Sequence, residues 1–161
     1  MSRNDPMHDS VPYLRNNLDG ETDILHEYFI PREKFVAFVD GMRKILTDHD
    51  ANLLNASVRV VHRESNFLSY APEPAFAVVL YINQRADAEG NRRMRDLTGA
   101  LIELTLAQGG RFFLPYQLYF TPEQLRRSYP EIGAFFAAKR KYDPQGVFTN
   151  TFYEKYGSAD M

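Results

Sequence analysis

An arginine in the middle of a predicted strand is one residue of this sequence that could do chemistry. Arg59 stands between Val58 and Val60, and strand alternation would point its side chain to the face opposite both valines. A guanidinium on a sheet face can bind a hydroxyl or carboxylate oxygen and stabilise negative charge there. The alternative is an ion-paired surface arginine, which residue type and spacing alone favour.

Three polar side chains in the last third of the chain are further candidates for ligand binding. Tyr116 and Gln117 follow the predicted strand 111–114 and Pro115, and Asn150 lies in Phe148-Thr-Asn. A phenol donates a hydrogen bond, but an ordinary pKa near 10 makes it a poor base. The structural alternatives are core packing for the tyrosine and a turn or helix cap for the asparagine.

The composition excludes several other kinds of site. The chain has no cysteine, which excludes thiolate nucleophiles and cysteine metal sites. Its four histidines are scattered, and no pair has the i, i+4 spacing of a metal site on one helix face. His26 is expected to lie near the sheet face of Arg59. A net charge of −2 gives no reason to expect nucleic acid.

Hydrophobic periodicity predicts four strands and two long helices that position these residues. The predicted strands are Thr22–Ile30, Leu53–His62, Phe76–Asn83 and Arg111–Leu114. One helix begins at Pro31, and the second runs from Asp87 to Gln108 and stops at Gly109-Gly110. The order β-α-β-β-α-β predicts an α+β, ferredoxin-like fold: a four-stranded antiparallel sheet with both helices on one face.

The same pattern divides the chain into three parts. Residues 1–21 are polar and lack a period, which predicts an arm or linker. Residues 22–118 form the predicted ferredoxin-like domain. Residues 119–161 form a helical closing segment, with helices over 122–129 and 131–141 and an irregular aromatic tail. No long apolar run or signal-peptide core is present, so we expect a cytoplasmic protein, associated with membranes only through partners.

Three blocks of sequence resemble the C-terminal region of vanillyl-alcohol-oxidase-type FAD-linked oxidases. The last, Ala138-Lys-Arg-Lys-Tyr-Asp-Pro-Gln-Gly-Val-Phe-Thr-Asn, is similar to the closing segment of that family. Gly109-Gly-Arg-Phe-Phe-Leu-Pro-Tyr and Tyr129-Pro-Glu-Ile-Gly-Ala-Phe resemble the matching region of aldonolactone, alditol and decaprenylphosphoryl-ribose oxidases. Upstream, Ser57-Val-Arg and Leu68-Ser-Tyr-Ala resemble the Glu-x-Arg and Leu-Ser-Pro-Ala of the alditol and aldonolactone enzymes.

Three departures accompany this resemblance. Ser57 stands where those oxidases have glutamate, and Tyr70 where they have proline. The glycine-rich FAD domain that precedes this region in the family is not recognisable, since no Gly-x-Gly-x-x-Gly follows a strand. We therefore expect a substrate-side fragment or subunit that is inactive alone, with its FAD held mainly by a domain or subunit absent from this chain.

The resemblance also implies roles for the candidate residues. Tyr116 takes the position of an active-site lysine in the decaprenylphosphoryl-ribose oxidases and becomes the candidate catalytic residue. Arg59, Gln117 and Asn150 would bind a small sugar-like substrate, and Tyr116 and Asn150 would contact FAD. The reaction would oxidise a C–OH group of a sugar, aldonolactone or alditol. The alternative is a ferredoxin-like binding or dimerisation module without catalysis, which an exposed apolar sheet face would drive to form a homodimer.

Overall fold

Four antiparallel strands form one sheet in the computed structural model, which describes residues 19–157. The strands are β1 (Glu21–Pro31), β2 (Asn52–Val61), β3 (Ala75–Arg85) and β4 (Arg111–Phe112). Their order in the sheet is β2-β3-β1-β4, so the first strand lies between the third and the fourth. The predicted arm falls largely on residues 1–18, outside the described residues.

Two long helices cross over between these strands and pack together on one face of the sheet. They are α1 (Phe35–Asp48), which follows a 3-10 turn at Arg32–Lys34, and α2 (Ala88–Ala107). Asp87 caps α2 by accepting a 2.7 Å hydrogen bond from the Gly90 amide, and Gly109 turns the chain at a φ of +71° just beyond its end. The predicted ferredoxin-like α+β fold is confirmed.

Alternation along the central strands divides the sheet into an apolar face and a mixed face. On the helix side, Ile24, Tyr28 and Ile30 of β1 join alternate residues of β3 and the apolar stripes of α1 and α2 in the main core. On the other side lie Glu27 and Phe29 of β1 and Ala77 of β3, together with Arg59 of β2. We call this second side of the sheet the open face.

The loop between β2 and β3 covers one end of the open face. Phe29, Ala71, Ala75 and Ala77 are buried there as a small second cluster. The Tyr70 ring stacks on Phe29 with 5.1 Å between ring centroids. The chain itself therefore covers this end of the open face, while both long helices pack on the opposite face.

Three short helices close the chain: α3 (Pro122–Ser128), α4 (Ile132–Tyr142) and α5 (Thr151–Tyr156). The prediction of an irregular aromatic tail holds for residues 147–150 but was wrong for the rest, because α5 forms where the sequence shows no helical period. Tyr156 is 1% exposed, stacks on Phe120 and donates a 2.7 Å hydrogen bond to its carbonyl. A single helical turn is too short for a visible period, so burial of this tyrosine stabilises it.

Candidate functional site

An ion pair between neighbouring strands occupies the middle of the open face. Arg59 of β2 lies opposite Ala77, and Glu27 of β1 lies opposite Val79, so the two side chains meet diagonally across β3. The Arg59 Nη2 group donates a short hydrogen bond to Glu27 Oε1. The Glu27 side chain is 6% exposed, whereas that of Arg59 is 59% exposed. The carboxylate is thus the buried anchor, and the guanidinium is the accessible end.

The electrostatics of the pair follow from that asymmetry. Burial raises the pKa of the Glu27 carboxyl, and the neighbouring Arg59 charge offsets part of the rise. A guanidinium has five N–H donors in a planar fork, and the bond to Glu27 uses one at Nη2. The other donors can bind an oxygen of a hydroxyl, carbonyl or carboxylate group on a ligand.

Tyr116 and Gln117 line a small cavity at the edge of β1 together with Glu27. This cavity of about 20 Å³ lies next to the half of β1 that β4 does not cover. The Tyr116 ring packs on Phe113 with 4.7 Å between centroids, and Tyr116 is 36% exposed. A cavity of this size holds about one water molecule. The fold therefore brings Tyr116 and Gln117 together beside β1, where Glu27 also lines the cavity.

Asn150 occupies a different structural position. It is the exposed N-cap of α5, and its Oδ1 accepts a 2.9 Å hydrogen bond from the Tyr153 amide. Among residues 19–157, Asn150 is not one of those that line the cavity beside Glu27. Its side-chain oxygen therefore caps a helix, as the structural alternative expects. Contact between Asn150 and substrate or FAD stays a prediction.

His26 points away from the open face, so the expectation that it neighbours Arg59 was wrong. It lies one residue before Glu27 in β1, and strand alternation places it on the helix side. Its Nδ1 lies 3.0 Å from the Tyr28 hydroxyl, and its Nε2 lies 3.3 Å from the Thr98 hydroxyl. Burial lowers the pKa of His26 to about 4, so the ring is neutral and structural at physiological pH.

Glu27 is the residue of this site that sequence reasoning missed. Its signal was a carboxylate between Leu25 and Phe29, two apolar residues on the same side of a largely buried strand. A charge in such a row is seldom buried without a partner. That signal identifies an unusual acid, but the partner lies 32 residues further along the chain.

The covering loop is fixed in place close to this ion pair. The Glu64 carboxylate accepts hydrogen bonds from the amides of Tyr70 and Ala71. Arg111 donates a 2.6 Å hydrogen bond to the Ser69 carbonyl and pairs with Glu131 at the start of α4. The Tyr70 phenol therefore forms a firm wall at one side of the open face. Burial, together with the charges of Glu64 and Glu27, raises its pKa.

A second polar cluster lies further along the open face, toward the other end of β1. Asp23 accepts a 2.8 Å hydrogen bond from the Tyr81 hydroxyl and a 3.0 Å hydrogen bond from Asn83 Nδ2. Asn52 donates a 3.2 Å hydrogen bond to Asn83 Oδ1. The face around Glu27 and Arg59 is thus polar on this side and aromatic on the side of Tyr70.

Two other properties of the described part of the chain bear on function. Within residues 19–157, no group of three or more His, Asp or Glu residues is arranged to hold a metal ion. None of the described helices is both long and apolar enough to cross a membrane.

Comparison with protein-family models gives a match over most of the described residues. The family model described as D-arabinono-1,4-lactone oxidase matches residues 22–156, which include the sheet apart from Glu21, both long helices and the closing helices. A search of curated proteins finds no match.

Proposed function

The chain belongs to the D-arabinono-1,4-lactone oxidase family, and from this premise we propose that residues 22–156 form the substrate-side part of an FAD-linked oxidase. Family membership makes it an aldonolactone-oxidase-like oxidoreductase. The proposed reaction oxidises a C–OH group of a sugar, an aldonolactone or an alditol. FAD, when bound, supplies the hydride acceptor for that carbon.

One observation carries the proposal: an accessible guanidinium on the open face of the sheet, anchored by a buried carboxylate. Arg59 and Glu27 form that pair, and Tyr116 and Gln117 line a small cavity that Glu27 also lines. A purely structural surface arginine does not need a buried anion, because exposed ion pairs contribute little to stability. The arrangement suits recognition of a small ligand rich in oxygen atoms.

The described glycines test whether this part of the chain could also hold the FAD pyrophosphate. A pyrophosphate is typically bound by glycines that let backbone amides approach the phosphates. At Gly41, Gly90 and Gly110 the tight approach is to atoms of the chain itself: Leu104, Arg85 and Phe29 respectively. We therefore propose that a separate FAD-binding domain holds the pyrophosphate and that the described residues contact the substrate and the flavin ring.

In this proposal the chain binds and orients the substrate. Arg59 donates hydrogen bonds to an oxygen of the substrate and holds the reacting C–OH group in place. Glu27 holds the guanidinium over the middle of the sheet. Tyr116 and Gln117 donate hydrogen bonds to the same ligand, and Tyr70 shields one side from water.

The proposal is tested by ligand binding to the purified full chain, alone and with a candidate FAD-binding domain. FAD absorbance and fluorescence report cofactor binding, and calorimetry reports D-arabinono-1,4-lactone binding. We expect FAD to bind only when the second domain is present, and Arg59→Ala to weaken lactone binding. Arg43→Ala is the matched control, because Arg43 is an exposed, ion-paired arginine on α1. Lactone binding that does not change in Arg59→Ala would contradict the proposal.

A second candidate function, a binding or dimerisation module, draws on a different surface. Val58 and Val60 on the outer strand β2 are 51% and 59% exposed, on the side of the sheet opposite Arg59. Exposed apolar side chains on an outer strand can pack against a second copy of the chain. Size-exclusion chromatography with light scattering distinguishes the two candidates: dimerisation that Val58→Lys abolishes would favour the module, and a monomer that binds lactone would favour the oxidase.

A further inference from the structure

Glu27 and Ser57 lie in the same row of the sheet, on either side of one residue. Val79 of β3 is opposite Glu27 on one side and opposite Ser57 on the other. Residues directly opposite each other in antiparallel strands share a face, so both side chains belong to the open face. Ser57 is also the position where the sequences that this chain resembles have the glutamate of Glu-x-Arg.

The carboxylate next to Arg59 therefore comes from a different strand. A glutamate at position 57 would be the i−2 neighbour of Arg59 on the same side of β2. Here a serine takes that place, and the acid comes from β1, two strands away, in the same row. The sheet thus presents an acid and Arg59 together, although the local motif has lost its acid.

The position of the acid matters for the direction of the arginine. β2 is the outer strand, so an unpaired Arg59 could extend past the sheet edge into water. A partner on β1 draws the guanidinium inward over β3, toward the side where Tyr116 and Gln117 lie. A charge-assisted hydrogen bond to a buried carboxylate also limits the rotamers that the long side chain can visit.

We propose that Glu27 is the positioning residue for Arg59, supplying from β1 the carboxylate that position 57 lacks and holding the guanidinium over the ligand-binding part of the open face. This inference rests on the proposed function for what Arg59 binds, but the geometry of the pair stands apart from it. Burying the Glu27 carboxylate costs desolvation free energy, and an ion pair exposed on the surface would not carry that cost.

The test compares four versions of the full chain: wild type, Glu27→Gln, the double variant Glu27→Gln with Ser57→Glu, and Ser57→Ala. NMR of the Arg59 Nε–H group reports the order of the side chain without any ligand. D-arabinono-1,4-lactone is then titrated into each protein. Near-UV circular dichroism checks that each variant is folded, and Glu33→Gln on the exposed 3-10 turn is the matched control.

We expect Glu27→Gln to disorder the Arg59 side chain and weaken lactone binding about tenfold, the effect of losing one charge-assisted hydrogen bond. In the double variant, Ser57→Glu should restore most of the Arg59 side-chain order and most of the lactone affinity. Ser57→Ala and Glu33→Gln should leave the Arg59 order and the lactone affinity unchanged. A folded double variant without restored Arg59 order, or Glu27→Gln with an unchanged Arg59 signal, would overturn the inference. If the Arg59 signals change as expected and wild type fails to bind lactone, the positioning role holds and the proposed function fails.

Discussion

The hydroxyl of Tyr129 donates a 2.5 Å hydrogen bond to the carbonyl oxygen of Phe112, which ties the closing segment to the last strand of the sheet. Both residues are buried, and their rings also meet edge to face. Arg111 adds its guanidinium over the Tyr129 ring at 4.9 Å. The closing helices are therefore anchored to the sheet that carries the candidate site.

Tyr129→Phe should lower the free energy of unfolding by roughly 1 to 3 kcal/mol. The substitution keeps the ring but leaves the buried Phe112 carbonyl without this donor, which costs the desolvation of that group. Urea unfolding followed by circular dichroism measures the change. Tyr142→Phe is the control, since Tyr142 is 81% exposed and should change stability little. Equal effects of the two substitutions would contradict this role for the Tyr129 hydroxyl.

His26 should make the protein less stable as the pH falls from about 6.5 to about 4. Burial lowers the pKa of the folded histidine to about 4, whereas the unfolded histidine titrates near 6.5. In that window the unfolded state binds the proton and the folded state does not, so acid favours unfolding, by on the order of 3 kcal/mol in total. His26→Gln should flatten the dependence in urea melts across this range. The exposed His62 serves as control, and a profile that changes equally in His62→Gln would argue against His26.

Glu27 should make stability change with pH in the direction opposite to His26, and Glu27→Gln should remove that change. The folded pKa of Glu27 is raised above the ordinary 4.5. The folded state therefore keeps the Glu27 proton to a higher pH than the unfolded state does, and it loses stability as the pH rises from the unfolded pKa through the folded pKa. The groups that interact with this carboxyl are Arg59 from β2 and Tyr70 from the covering loop. The variant should be at least as stable as wild type at neutral pH. A large loss of stability there would show that the Arg59 attraction outweighs the cost of burial.

Two glycines of α2 should respond to alanine in opposite directions. At Gly90 an added Cβ would lie 2.1 Å from the Arg85 carbonyl oxygen, whereas at Gly99 no atom lies within 4 Å. Gly99→Ala should stabilise the protein by about 0.5 to 1 kcal/mol through helix propensity. Gly90→Ala should destabilise it by roughly 1 to 3 kcal/mol through steric overlap. Thermal unfolding of the two variants side by side checks this, and a stabilised Gly90→Ala would contradict the tight contact at Arg85.

Tyr116→Phe tests the proposed contribution of the phenol to ligand binding. Loss of one neutral hydrogen bond should weaken lactone binding by about tenfold or less, without a change in fold. Calorimetry on the full chain with the FAD-binding domain measures it, with Tyr142→Phe as the control. Unchanged affinity in Tyr116→Phe would remove this residue from the proposed site and leave Arg59 as its main donor.

Local periodicity was enough to determine the elements of this protein and their order. Alternation and the 3.6-residue period depend on neighbours within a turn or two, so β1 to β3 and both long helices were predicted to within a few residues. The turn at Gly109 marked the end of α2, and the β-α-β-β-α-β order restricted the topology to one plan. Alternation also placed Arg59 correctly on the face of β2 opposite Val58 and Val60.

Tertiary structure alone decided which residues meet Arg59. The register of β1 against β3 and of β3 against β2 brings Glu27 to it, and no local pattern contains that register. The same register sends His26 to the helix side. Long-range burial forms α5 around Tyr156, which a short segment cannot do by its own propensity. Pairing and burial depend on contacts between residues far apart in the chain, and these contacts convert a lone arginine into an anchored, accessible guanidinium.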